Sequence, residues 1–132
     1  MTNAMSNTDL VRRGYQAFNE ADVPTLLAIL ADDVTWTTPG ESTVAGTARG
    51  KAAVLEQFGR YGGETAGTFK ADLVEVFATD AGRVIGLHHN TGARNGRRLD
   101  TQCCLVFDVR DGQIVSGTEN FFDLYNWDQF WS

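Results

Sequence analysis

Apolar residues recur at helical spacing through the first half of the chain and at every second position through the second half, and the change falls near Gly62-Gly63. Leu10, Val11, Tyr15, Ala17, Phe18 and Ala21 follow i, i+4, i+7, i+8 spacing and predict a helix over Thr8 to Glu20, which Asn7 or Thr8 can cap. Pro24 suits the first position of a second, shorter helix that carries Leu26, Leu27, Ile29 and Leu30 and stops near Asp32. Val34 to Thr37 reads as a strand ended by Pro39-Gly40, and the Gly-, Ser- and Thr-rich segment Gly40 to Gly50 reads as a loop. Ala53, Val54, Phe58 and Tyr61 mark a third helix.

Four strand-like runs follow: Phe69 to Thr79, Arg83 to Arg94, Arg97 to Val109 and Gln113 to Leu124. Asn95-Gly96 and Asp111-Gly112 join the last three as two-residue turns, because both central positions of a type I′ turn need positive φ. Such turns set Arg94 opposite Arg97 and Arg110 opposite Gln113. One face of the meander then carries the rungs Leu87, Cys104, Glu119, then His89, Gln102, Phe121, then Thr91, Asp100, Asp123, with Ile85, Val106 and Gly117 one step further. The other carries His88, Cys103, Asn120, Leu105 and Phe122. Both faces mix polar and apolar residues, so hydrophobicity leaves open which one meets the helices.

The 132 residues, 42% hydrophobic and 21% charged, suit a single domain over 1–132, with residues 1–7 expected to be disordered or mobile. A formal charge of −6 repels a phosphate backbone and an anionic membrane surface, so neither nucleic acid nor membrane is expected as a partner. No apolar run reaches the length of a membrane span, and Met1 to Asp9 lacks the apolar core of a signal peptide. Cys103 and Cys104 are adjacent on a strand and point apart, which excludes a disulfide framework and points to a reducing, cytoplasmic setting.

The order Asn19-Glu20-Ala21-Asp22, then Leu30-Ala31-Asp32-Asp33-Val34-Thr35-Trp36, joins two short helices to a strand carrying a Trp. It resembles the start of the SnoaL-like family, within the superfamily that holds nuclear transport factor two and ketosteroid isomerase. The resemblance extends to the C-terminal strand bearing Glu119. It implies an α+β fold, a cone-shaped roll of N-terminal helices on a curved antiparallel sheet with a pocket between them. It also implies that the positions of Cys104 and Glu119 face that pocket, where SnoaL-like cyclases often hold an acid–base Asp.

On that basis Glu119, His89 and Tyr15 are the candidate catalytic residues. Trp36, Thr38, Phe58, Tyr61, Leu87, Gln102, Cys104 and Phe121 are the candidate pocket walls. A carboxyl among apolar neighbours is desolvated and could exchange a proton near neutral pH, or it could serve as a structural partner for an Arg or a Tyr hydroxyl. Thr38 and Cys104 stand where ketosteroid isomerases place their base and their oxyanion-hole acid, and Gly14 matches their helix-one Tyr, so that chemistry is not expected. The Asp-Arg-Asp set of epoxide-hydrolase relatives finds no match. Adjacent His88 and His89 cannot share an ion, and no metal or cofactor is expected. His88 is expected at a subunit contact or in solvent. The Asp100 and Asp123 pair and the Arg94, Arg97, Arg98 tip read as solvated.

Two readings remain. One is a cofactor-free cyclase, isomerase or dehydratase acting on a small apolar or polycyclic carbonyl compound. The other is a non-catalytic binding or dimerisation module. Leu105, Phe122 and Cys103 on the outer face, with Trp127, Phe130 and Trp131 crowding the chain's end, predict a homodimer through the outer sheet face; the aromatic tail could instead fold back on its own core.

Overall fold

The computed structural model describes residues 6–132. Most of the stretch expected to be mobile, residues 1–5, lies outside the described residues. Ser6 and Asn7 do not fit that expectation: the Ser6 side chain caps the first helix by accepting from the Asp9 N–H, and Asn7 begins the helix.

The elements run α1 (Asn7–Asn19), α2 (Val23–Ile29), β1 (Leu30–Thr38), β2 (Gly46–Arg49), α3 (Lys51–Gly63), β3 (Lys70–Ala78), β4 (Val84–Arg94), β5 (Arg97–Arg110), β6 (Gln113–Phe121) and α4 (Leu124–Trp131). The strands form one curved sheet in the order β2-β1-β6-β5-β4-β3, with the helices packed on it, so the fold is the expected α+β roll. Every strand pair is antiparallel except β1–β6, which is parallel and joins the two halves of the chain. No described helix is long and apolar enough to cross a membrane.

Three boundaries differ from expectation. α2 ends at Ile29 and β1 begins at Leu30, because Leu30 already pairs with Ile114 and the Lys51 ammonium holds the Leu27 carbonyl at 2.7 Å. The Gly40 to Gly50 segment contains the short edge strand β2, laid against Thr35 to Thr38. The last strand stops at Phe121, since the Asp123 N–H donates to Thr101 Oγ1 and the Asp123 carboxylate caps α4. Asp123 therefore does not oppose Asp100, whose carboxylate takes His89 Nε2 at 2.5 Å.

Both two-residue turns form with positive φ at Asn95, Gly96, Asp111 and Gly112. β4–β5 keeps the register they set, from Arg94↔Arg97 to Leu87↔Cys104. β5–β6 begins as expected, but after Val109↔Ile114 the next pair is Asp108↔Ser116. Val115 is an extra residue, a β-bulge, and beyond it every side chain of β6 changes face relative to β5. Leu105 therefore opposes Glu119 and Cys104 opposes Asn120, so Cys104 and Glu119 point to opposite faces, which corrects the expected rung.

The buried, helix-covered face carries His88, Asn90, Cys103, Leu105, Phe107 and Glu119. A second cluster of Val44, Tyr61, Phe69, Leu99, Trp127, Phe130 and Trp131 closes one end, so the aromatic tail does fold back onto its own core. Arg94, half-buried, holds the Phe130 carbonyl at 3.0 Å and so leaves the solvated tip for α4, whereas Arg97 reaches the Ser132 carbonyl at 2.7 Å while staying exposed, as Arg98 does.

Candidate functional site

The sheet's concave face and helices α1, α2 and α3 enclose a cavity with about 570 Å³ of empty space, mouth included. Much of that space is open to solvent, and the room inside for water-sized groups is about 60 Å³. Val11, Phe18, Leu26, Phe58, Leu105 and Ile114 make most of its wall apolar, and its polar groups stand in two clusters.

The first is built on Glu119, 5% exposed. Its Oε1 accepts from Trp36 Nε1 at 2.6 Å, Tyr61 OH at 2.9 Å and Thr38 Oγ1 at 3.1 Å. β1 brings in Trp36 and Thr38 through its parallel pairing with β6, and α3 brings in Tyr61. Gly117, two residues before the acid on the same face, leaves room for the Trp36 ring, which a Cβ there would overlap. Gln57 Nε2 donates to Val44 O at 2.8 Å and to Tyr61 OH at 3.2 Å, leaving the phenolic proton for the carboxylate. Among the described residues no group hydrogen-bonds Oε2. Burial pushes the Glu119 carboxyl up to about 7, against the opposing pull of its three donors. Because Oε1 is occupied, the proton taken up near neutral pH belongs on Oε2.

The second cluster joins Tyr15 of α1 to β4. Tyr15 OH and His88 Nδ1 are 2.6 Å apart, and His88 Nε2 lies 2.8 Å from Asn90 Oδ1. Gly86 makes this possible, since a Cβ there would sit 2.6 Å from the Tyr15 hydroxyl oxygen. Burial drives the His88 imidazole down to about 4, so it is neutral at pH 7. Burial, then the nearby Glu119 charge, raises the Cys103 thiol well above its ordinary value.

Of the predicted site residues, Glu119, Tyr15, Trp36, Phe58 and Tyr61 line the cavity, and Thr38 stands behind Glu119. His89, Leu87, Gln102 and Cys104 share a face as expected, but it is the outer one, because the bulge sets Glu119 on the opposite side; there His89 is held by Asp100. Phe121 turns from the cavity to stack on Trp127 at 3.8 Å. His88, placed outside by the sequence, is inside with Asn90. Cys103 and Leu105, assigned to a dimer face, are also buried inside.

The family described as the SnoaL-like domain matches residues 11–117. The chain belongs to that family. The match stops two residues short of Glu119, so the acid is read from this chain's own geometry. This SnoaL-like protein is similar along 96% of its length to Bal32a from a soil-derived mobile gene cassette, at 52% identity and a TM-score of 0.94, covering 96% of that chain. It also resembles a Xanthomonas campestris protein of unknown function with a cystatin-like fold, at 28% identity and a TM-score of 0.90, over 97% of this chain and 99% of the other. The uncharacterized protein Rv0034 of Mycobacterium tuberculosis is 30% identical over 127 residues, 96% of this chain and 97% of that one.

Proposed function

We propose that this SnoaL-like protein binds a small, largely apolar carbonyl compound and moves a proton on it through Glu119 without a cofactor, as a cyclase, isomerase or dehydratase does. One observation carries this reading: the carboxyl that lines the cavity has one oxygen taken by three donors, while its other oxygen has no hydrogen-bond partner among the described residues. A carboxyl that titrates near 7 can donate a proton to a carbonyl oxygen or take one from an acidic carbon at the same pH. The apolar wall excludes water and strengthens both interactions.

Acetophenone, an apolar carbonyl, tests it by titration across pH. Its affinity should fall as pH rises through about 7, where the Oε2–H donor is lost. Glu119→Gln should remove the pH dependence. A flat wild-type profile, or a midpoint at the ordinary carboxylate value of about 4.3, would overturn the assignment. On a true substrate the same variant should lose about a hundredfold or more in turnover.

The non-catalytic alternative predicts the pH profile without any turnover. Self-association through the outer sheet face stays part of the proposal, now resting on the exposed Val74, Phe77 and Phe122. Light scattering at the monomer mass of 14.4 kDa would remove it.

A further inference from the structure

The Tyr15 cluster bears on what kind of carbonyl compound fits, and the inference rests on the small-molecule reading above. Asn90 Nδ2 donates to the Lys70 carbonyl at 3.2 Å, and a carbonyl can only accept. The Asn90 amide is thereby oriented with Oδ1 toward His88 Nε2, which must be the protonated ring nitrogen. His88 Nδ1 is then a bare acceptor, and the 2.6 Å contact is a bond donated by the Tyr15 hydroxyl. Reversing any link sets two acceptors or two donors against each other. One backbone carbonyl on β3 thus fixes the direction of three side-chain bonds and leaves the Tyr15 oxygen with only lone pairs to offer.

The register gives the distance. Gly86, under the Tyr15 hydroxyl, pairs with Leu105, and Leu105 pairs with Glu119. The two polar groups stand over positions two strand spacings apart on one face, about 9–10 Å at the sheet, with Leu105 as the floor between them. Subtracting two hydrogen bonds of about 2.7 Å leaves on the order of 4–5 Å between the ligand's polar atoms, the separation of 1,3-related substituents on a six-membered ring.

We propose that the cavity selects a compound with a hydrogen-bond donor, such as a hydroxyl or enol, at one end and a carbonyl oxygen at the other. The donor meets the Tyr15 oxygen, and the carbonyl meets Glu119 Oε2 across Leu105. A diketone without an enol, or a plain hydrocarbon, lacks the donor that Tyr15 requires. Because the His88 imidazole is neutral through the physiological range, this acceptor does not switch off with pH there.

Four probes of similar size separate the possibilities: 3-hydroxyacetophenone, 3-methoxyacetophenone with the donor capped, 3-ethylphenol with the carbonyl removed, and ethylbenzene with neither. Calorimetry at pH 6 should give 3-hydroxyacetophenone at least about a tenfold advantage over the methoxy and ethyl compounds. Tyr15→Phe should bring the hydroxyl-to-methoxy ratio close to one. If the wild type binds all four alike, the inference fails while the cavity reading survives. If none binds, ethylbenzene included, the proposed function fails with it. Should Tyr15→Phe not fold, the ¹⁵N spectrum of wild-type His88 still decides: the Nε2-protonated tautomer is expected, and the Nδ1-protonated tautomer overturns the inference.

Discussion

Glu119 and His88 share one cavity, and burial moves them in opposite directions, one carboxyl up to about 7 from 4.5 and one imidazole down to about 4 from 6.5. Between pH 4.5 and 7 the unfolded chain ionises Glu119 while the folded one keeps it protonated, so its contribution is complete below 4.5 and is lost as pH rises through 7. Between pH 6.5 and 4 the unfolded chain protonates His88 and the folded one does not, so that contribution is lost as pH falls. The two slopes oppose each other over their shared range. Glu119→Gln should expose the histidine's slope: urea unfolding from pH 4 to 8 should show the variant gaining on the wild type by up to roughly 3 kcal/mol between pH 4.5 and 7. Parallel curves would mean that Glu119 is not titrating in an apolar site. Trp36, Tyr61 and the acid itself were legible in the sequence as aromatics and a carboxyl aimed at a common interior. His88 was not, because its inward direction depends on a phase that its own strand does not reveal.

At the scale of the element, the turns fixed register correctly as far as they reached, and a one-residue bulge at Val115 undid it beyond. Gly117, a glycine inside a strand, hints at an irregularity there, but it does not fix which residue is the extra one as a turn would. β5 by itself carried the missing information. Leu99, Cys103, Leu105 and Phe107 share one face with only Thr101 as a polar member, whereas Arg98, Asp100, Gln102 and Asp108 outnumber Cys104 and Val106 on the other, so the first face is the more apolar. Reading the three strands as a single ladder averaged that contrast away. Helix caps at Ser6, Asp22 and Asp123 are local signals, yet α4 was missed because its aromatics read equally well as an exposed tail. Gly117→Ala tests how tightly β6 and β1 fit. The added methyl meets the Trp36 ring and should cost about 1–3 kcal/mol, with a loss of near-ultraviolet circular dichroism from the displaced indole. An unchanged melting temperature would show that the ring has room to move.

For the whole molecule, α4 and the second aromatic cluster close the end of the roll that the sheet alone leaves open. Trp127 is fully buried against Phe121, Tyr61 and Trp131, and its indole N–H has no acceptor among the described residues, so packing alone holds it. Trp127→Ala should cost about 3–5 kcal/mol in denaturant unfolding, and a loss below 1 kcal/mol would contradict the closing role of α4. The parallel β1–β6 joint has a kinetic consequence. β4–β5 and β5–β6 are hairpins closed by two-residue turns and can zip locally, whereas β1 must find β6 some eighty positions along the chain. The donors to Glu119, at 36, 38 and 61, all lie in the earlier half. During refolding, the native environment of Trp36 and the capacity to take up a ligand should therefore appear together in the slowest phase, after the meander is already protected from hydrogen exchange. A chain still being synthesised cannot assemble the donors around Glu119 until β6 has emerged.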